Sequence, residues 1–306
     1  MSGAPLISVV MPVMNAARTL EDTLHSLFWQ SCADWELIIV DDGSTDATIE
    51  IAQGFGDARI RIAGGGTNAG PSPRRNQGIA LARGEFVALL DADDIAYPER
   101  FATQVKFMRE QPDCDLAGCG TLMFNDDGLA FGRFPLHLRH QEICARPLVG
   151  FALPNSSWLG KRSWFERYPY SADFRRAEDY EVLLRSCRES RFACVAPTLL
   201  GYRQGPRSLR KLLVGRYCTA RAIARHAQDG AAKALAIQGM KAAADVLTAP
   251  LGLDRWLRGE SAAQLAAGDI AAWDAVWKQL RMARGYGNSD GSTDGNTAGI
   301  SEKAGE

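Results

Sequence analysis

Apolar and polar residues fall in blocks along the first hundred positions, and the spacing changes from block to block. Residues 6 to 14, LISVVMPVM, are almost continuously apolar, the pattern of a strand buried on both faces. From Asn15 to Gln30 the apolar positions Leu20, Leu24 and Leu27 are spaced as on one face of a helix. WELIIV, residues 35 to 40, predicts a second buried strand; DDGSTD stops it, and Ser44 and Thr45 can cap a helix from about Asp46. RIRIA, residues 59 to 63, predicts a third strand, and GGGTNAGPSPRRN leads to a helix over 75 to 83. Gly84 breaks that helix, EFVALL forms a fourth strand ending at Asp91, and another helix starts after Pro98. Such alternation predicts an α/β fold with a mostly parallel sheet, right-handed crossovers and flanking helices.

Farther along, AGCGTLMF (117 to 124) predicts a strand with a hairpin-like NDDG after it, and a helix is expected over 177 to 188. Leu209 to Ala283 is alanine-rich and helical, with breaks near Gly230, Pro250 and Gly268. The closing GNSDGSTDGNTAGISEKAGE is low in complexity and is expected to be disordered.

Ligands of such sheets bind beyond the carboxyl ends of the strands, where MPVMN, DDGSTD and DADD all fall. In FVALLDADDIAYP, Asp91, Asp93 and Asp94 crowd three carboxylates that repel one another and resist desolvation. No phosphate-cradling GxxxxGK[ST] is present. Gly64, Gly66 and Ala69 match a dinucleotide fingerprint only on paper, since they follow a later strand and run into Pro71 and Pro73. An acidic sheet edge repels a diphosphate unless Mg²⁺ or Mn²⁺ lies between them, which makes such a cation the expected cofactor.

Composition narrows the classes further. With 306 residues, 46% apolar, 23% charged and a formal net charge of -1, no charge excess points to nucleic acid. No basic region precedes a long apolar segment at the N-terminus, and no run reaches the ~18 apolar residues of a membrane span. The expected location is therefore cytoplasmic. The seven cysteines form no CxxC and read as reduced, mostly buried thiols. His137 and His140 form an HxxH in what reads as a surface loop, with no third ligand evident.

The order of motifs closely resembles the family 2 glycosyltransferases of GT-A fold. SVVMPVMN (8 to 15), WELIIVDDGSTD (35 to 46), NAGPSPRRNQGI (68 to 79), ALLDADD (88 to 94), LPNSSWLGKR (153 to 162), AEDYEVLLR (177 to 185) and GYR (201 to 203) carry it. The resemblance implies a GT-A domain over 1–205, a helical extension over 206–285 and a disordered tail over 286–306. It also implies inverting transfer from a nucleotide-activated sugar, such as a UDP-sugar, to a glycan or lipid-linked acceptor in bacterial polysaccharide or cell-envelope biosynthesis.

By that resemblance, Pro12, Asn15, Asp41 and Asp42 bind nucleobase and ribose; a carboxylate can accept an imide N–H. Asp46 reads better as a helix cap. Asp91 helps hold the ribose or the metal, and Asp93 or Asp94 meets the ion. Arg75 contacts phosphate or base, with Arg74 competing and one of the two left solvated. Glu178-Asp179 matches an ED motif in which Asp179 is the general base, as a single inverting displacement needs no enzyme nucleophile. Met14 stands where many relatives carry tyrosine, and Gly205 where a histidine near the phosphates is often found. The leaving-group contact would then pass to Arg203 or Arg207.

Trp158 and Trp164 are expected to stack on an acceptor sugar, whereas Trp256, Trp273 and Trp277 are expected to pack helices. No acidic residue falls between Arg191 and Gln228, so the basic 203–225 stretch reads either as a solvated helix face or as a peripheral contact with anionic lipid on the inner membrane face. A catalytically inactive nucleotide-sugar-binding module of the same fold is the alternative. A sugar-nucleotide pyrophosphorylase is disfavoured, since its glycine-rich loop after the first strand is missing.

Overall fold

The computed structural model describes residues 3–205, 208–248 and 265–284. Strands β1 (Ile7–Val13), β2 (Trp35–Asp41), β3 (Ile60–Gly64) and β4 (Phe86–Leu89) run parallel in the order β3-β2-β1-β4. Further strands follow in the chain: β5 (Ile95–Ala96), β6 (Leu116–Phe124), β7 (Ala130–Arg133), β8 (Leu159–Lys161) and β9 (Phe192–Arg203). They extend the sheet as β4-β8-β6-β9-β5, with β7 beside β6. The extension is mixed: β8 is antiparallel to both β4 and β6, and β6 is parallel to β9.

Period-two alternation sorts the apolar strands onto two cores. Val9, Met11, Leu37 and Ile39 face one core. It contains Leu20, Leu24 and Leu27 of α1 (Leu20–Phe28) and Phe101 of α4 (Arg100–Glu110). Val10, Ile38 and Val40 face the other, with Ile79 of α3 (Pro71–Leu81). Phe165 of α6 (Arg162–Arg167) and Val182 and Leu183 of α7 (Glu178–Ser186) join them there. Between these elements lie α2 (Thr48–Gly54) and the single-turn α5 (His140–Ile143). Helices α8 (Leu209–His226) and α9 (Ala231–Thr248) follow, and α10 (Ala267–Ala283) returns to the sheet, where Trp273 is fully buried in the first core.

Several boundaries differ from the sequence reading for identifiable reasons. Helix α1 begins at Leu20 rather than Asn15, because the amides of residues 15 to 17 bind side chains of the DDGSTD turn and its neighbour Thr48. Asp46, not Ser44 or Thr45, accepts the Thr48 N–H at the start of α2. Helix α3 starts at Pro71, since proline is tolerated in a first turn whose N–H groups need no helical partner. Strand β9 escapes periodicity because Pro197 interrupts it; the register shifts there, and a Cβ on Gly120 would lie 2.8 Å from the Pro197 carbonyl oxygen. His140 Nδ1 accepts the Phe192 N–H. The expectations for Arg207, Trp256, the break near Pro250 and the 286–306 tail lie outside the described residues.

Candidate active site

A cleft of about 760 Å³ opens at the carboxyl ends of β1, β2 and β4. Pro12, Asn15, Asp42, Arg75, Asp91, Asp93, Glu178 and Asp179 all line it, so five separate sequence motifs meet on one surface.

The first wall is built by side chains satisfying backbone amides. Asn15 adopts φ 52°; its N–H donates to Ser44 Oγ (3.0 Å), and its Oδ1 accepts the Thr45 N–H (2.8 Å). Thr48 Oγ1 and Asp46 Oδ2 accept the amides of Ala16 and Ala17, locking this turn onto the start of α2. Asp42 accepts the Ala69 and Gly70 amides at 2.7 and 2.9 Å and the Arg74 Nε at 2.9 Å. Arg74 is thus spent on Asp42, and neither member of the arginine pair is left solvated. Asp41 is absent from the cleft wall, and its Oδ1 accepts the Ser44 N–H, which holds the turn.

Arg75 joins the other two walls. Its Nη2 donates to Asp91 Oδ1 at 2.9 Å and its Nη1 to Glu178 Oε1, with Tyr170 beneath the guanidinium at 5.6 Å. Asp179 is the second residue of α7, after a left-handed Ala177 (φ 54°) that turns the chain into the helix. Burial, then the charge of Glu178, push the Asp179 carboxyl up to about 6. A carboxylate tuned so is suited to proton abstraction near neutral pH.

The two aspartates assigned to the metal separate. Asp93 is exposed at the cleft, where the surrounding protein and Asp91 raise its carboxyl to about 6. Asp94 is fully buried, and its Oδ1 accepts the Arg203 N–H at 2.9 Å. Burial and the charges of Asp93 and Asp91 lift its carboxyl well above the usual range. Asp94 anchors the turn and does not present itself to an ion. Among the described residues, no three His, Cys, Asp or Glu groups converge as a metal site. Asp91 and Asp93 fit a cation that draws its other ligands from phosphate oxygens and water.

Two other expectations change. Trp158 is fully buried: its ring stacks on Tyr170, and its Nε1 donates to the Leu153 carbonyl. Trp164 is also buried, donating to Ser190 Oγ, so neither can stack on a sugar. Phe134 and Tyr202, edge to face at 5.4 Å, give the cleft its aromatic wall instead. Strand alternation explains Arg203. In Gly201-Tyr202-Arg203 only Tyr202 faces the cleft, and the flanking positions point to α10. The Arg203 guanidinium pairs with Asp22 and Asp126 and is not a leaving-group contact.

Arg175 and Arg176 line the cleft beside Asp179 and escaped the sequence reading, although FRR immediately precedes the AED motif. On the helical extension, Arg216 pairs with Asp245, and Arg221 and Arg225 with Asp173. Much of the basic stretch is therefore neutralised within the fold. No helix among the described residues is long and apolar enough to cross a membrane.

The chain is 36% identical over 151 residues to TuaG of Bacillus subtilis, named for teichuronic acid biosynthesis, covering 48% of this chain and 60% of TuaG. It is 34% identical over 195 residues to EpsE of the same organism, named as a glycosyltransferase, covering 62% of this chain and 69% of EpsE. Two solved structures share the fold. TarS of S. aureus, residues 1–349 with UDP-GlcNAc, superposes with a TM-score of 0.59 at 18% identity, covering 90% of this chain and 81% of that one. The mannosyltransferase PcManGT of Pyrobaculum calidifontis, with GDP-Man and Mn²⁺, gives 0.57 at 18%, covering 93% and 83%. The glycosyl transferase family 2 profile matches residues 8–168, more than half of the 306, and the chain belongs to that family.

Proposed function

We propose that the protein is an inverting glycosyltransferase that moves a sugar from a nucleotide-sugar, of the UDP class, to a hydroxyl of a glycan or lipid-linked acceptor in cell-envelope polysaccharide synthesis. One observation carries this reading: a half-buried carboxylate raised to about 6, Asp179, shares a cleft with the Asp91–Asp93 pair. A single displacement needs a base opposite a stabilised leaving group and no enzyme nucleophile, and the cleft offers those parts. The names of TuaG and TarS, with its UDP-GlcNAc, support the pathway and donor class.

In this reading Pro12, Asn15 and the loop held by Asp42 receive the nucleoside. Asp91 and Asp93 would hold Mn²⁺ or Mg²⁺; the Mn²⁺ of PcManGT supports a divalent cation, and the exposed Asp93 beside Asp91 supports the residues. Such a cation, when bound, neutralises the departing diphosphate. Arg175 and Arg176, for which no acid partner is found among the described residues, face the cleft and add positive charge for phosphate oxygens. Asp179 accepts the proton of the attacking hydroxyl, and the Phe134–Tyr202 wall offers a face for a sugar ring.

A thermal-shift screen of nucleotide-sugars with and without Mn²⁺ tests the reading. A ligand at ~10 times its Kd should add more than ~1 kcal/mol of stability. Stabilisation by a UDP-sugar with metal, together with loss of transfer but not of donor binding in Asp179→Asn, is the expected result. Absence of any stabilising nucleotide would overturn it.

A further inference from the structure

The carboxylate of Asp93 faces open cleft, so its pose is dictated by the backbone of the turn that carries it. That backbone is pinned from one side. Thr19 Oγ1 donates to the Ala92 carbonyl at 2.9 Å, Arg203 Nε donates to the Asp93 carbonyl at 2.9 Å, and the Arg203 N–H donates to Asp94 Oδ1 at 2.9 Å. Arg203 therefore touches two successive residues of the turn while keeping its guanidinium out of the cleft.

The remaining nitrogens of Arg203 are held from farther away. Nη2 lies 3.1 Å from Asp22 Oδ2, and Nη1 lies 3.6 Å from Asp126 Oδ1. The rings of Phe124 and Trp277 cover the guanidinium at 4.7 and 5.8 Å. Asp22, buried on α1, is shared: its Oδ1 lies 2.7 Å from Nε of Arg284, immediately after α10. Helix α10 is itself fixed. Trp273 Nε1 donates to the Gly128 carbonyl at 2.7 Å, and its ring occupies space that only a glycine at 201 leaves open, 2.4 Å from where a Cβ would stand. Asp22, Asp126, Arg203, Trp277 and Arg284 border a second cavity of about 340 Å³ that contains none of Asp91, Asp93, Glu178 or Asp179.

We propose that Arg203 is a positioning residue for the Asp93 turn, and that α10 sets its pose through the Arg284–Asp22–Arg203 relay. The C-terminal helix then tunes how tightly the cleft takes a divalent cation with a nucleoside diphosphate. The inference rests on the donor reading above. Its physical basis is that a planar guanidinium satisfies several acceptors in one fixed geometry, so a shift of Asp22 is transmitted to the Asp93 carbonyl. Partners of this kind orient a metal ligand without touching the metal.

The test uses the full chain, MnCl₂ and UDP. Mn²⁺ affinity is read from the electron paramagnetic resonance of free Mn²⁺ in the presence of UDP, and metal-free UDP affinity by calorimetry in EDTA. Asp22→Asn should weaken Mn²⁺ by ~10-fold and Arg284→Gln by ~3-fold, with metal-free UDP affinity unchanged. Asp22→Glu, which keeps the charge, should recover most of the loss. Should Asp22→Asn fail to fold, Arg284→Gln carries the test, because it removes only the outer member of the relay. Unaltered Mn²⁺ affinity in folded variants overturns the inference, as does a parallel loss of UDP affinity in EDTA, which would mark general damage. Failure of the unmodified chain to bind Mn²⁺ with UDP would overturn the donor reading and the relay together. Normal binding there with unaltered variants overturns the relay alone.

Discussion

Arg75 Nη2 sits 2.9 Å from Asp91 Oδ1 and binds helix α3 to the turn that follows β4. The other arm of the same guanidinium holds Glu178, so one buried cation spans the DADD and AED motifs. Its side chain is only 6% exposed. Removing one partner of such a buried network leaves uncompensated charge, at a cost of ~3–5 kcal/mol. Arg75→Met should therefore lower the melting temperature strongly and reduce kcat/KM by at least ~100-fold, because Asp91 and the start of α7 lose their common tether. Arg75→Lys should recover part of the stability, but less of the activity, since an ammonium cannot fork between two carboxylates. Calorimetry and donor-transfer kinetics on both variants check the pair.

Asp179 makes a pH prediction with a definite sign. Its carboxyl is raised to about 6 in the folded chain, and a general base works only when ionised. The rate should fall as pH drops through about 6 and level off above it. Asp179→Asn should lose ~10²–10⁴-fold in kcat and this limb of the profile. Stability moves the opposite way. A folded pKa above the unfolded value means that ionising Asp179 costs folding free energy, so the penalty is full above about 6 and absent below the ordinary aspartate value of 3.8. Asp179→Asn should consequently be more stable than the parent at pH 7.5, by ~1–3 kcal/mol, and melt higher, with the gap closing towards pH 3.5. Melting curves at both pH values check the sign.

Asp46 gives a test of the first cleft wall. Its carboxylate accepts the Ala17 and Thr48 amides, coupling the Asn15 turn to the start of α2. Asp46→Ala should lower the melting temperature slightly, because the Ala17 and Thr48 amides lose their acceptor. The donor KM should rise several-fold while kcat stays near the parent value, since Asp46 lies on the nucleoside side and away from Asp179. A steady-state comparison at saturating acceptor separates the two parameters.

The parallel half of the sheet was legible because burial on both faces leaves runs such as VVM and ELIIV with little ambiguity. The fourth strand and the AED helix were legible for similar reasons, being bounded by charged turns and strong periodicity. Strand β8 (three residues) and β5 (two) were too short to carry a period, and Pro197 hid β9. Motif reading brought Pro12, Asn15, Asp42, Arg75, Asp91, Asp93 and Asp179 to one cleft, but it could not give side-chain direction. Asp94 and Arg203 lie within or beside cleft motifs yet point into the fold, a distinction set by strand alternation and the turn at 91–94. Trp158 looked available for a sugar because its motif falls near the expected acceptor side; tertiary packing on Tyr170 buries it.

Arg175 and Arg176 offer the last prediction. Both are exposed on the cleft wall next to Asp179, whereas Arg75 is committed to Asp91 and Glu178, and Arg18 to Asp126. If the pair receives phosphate oxygens, its contribution is electrostatic and exposed to solvent, so it should be screened by salt over a Debye length of ~10 Å at 0.1 M. The double variant Arg175→Ala, Arg176→Ala should raise the donor KM by ~10-fold at low ionic strength, with a much smaller difference from the parent at 0.5 M salt. Its melting temperature should stay within ~2 °C of the parent, as exposed charges contribute little to folding. A salt-independent loss of rate with unchanged KM would instead place the two arginines in orienting Asp179 through the Ala177 turn, and would assign the phosphate contacts elsewhere.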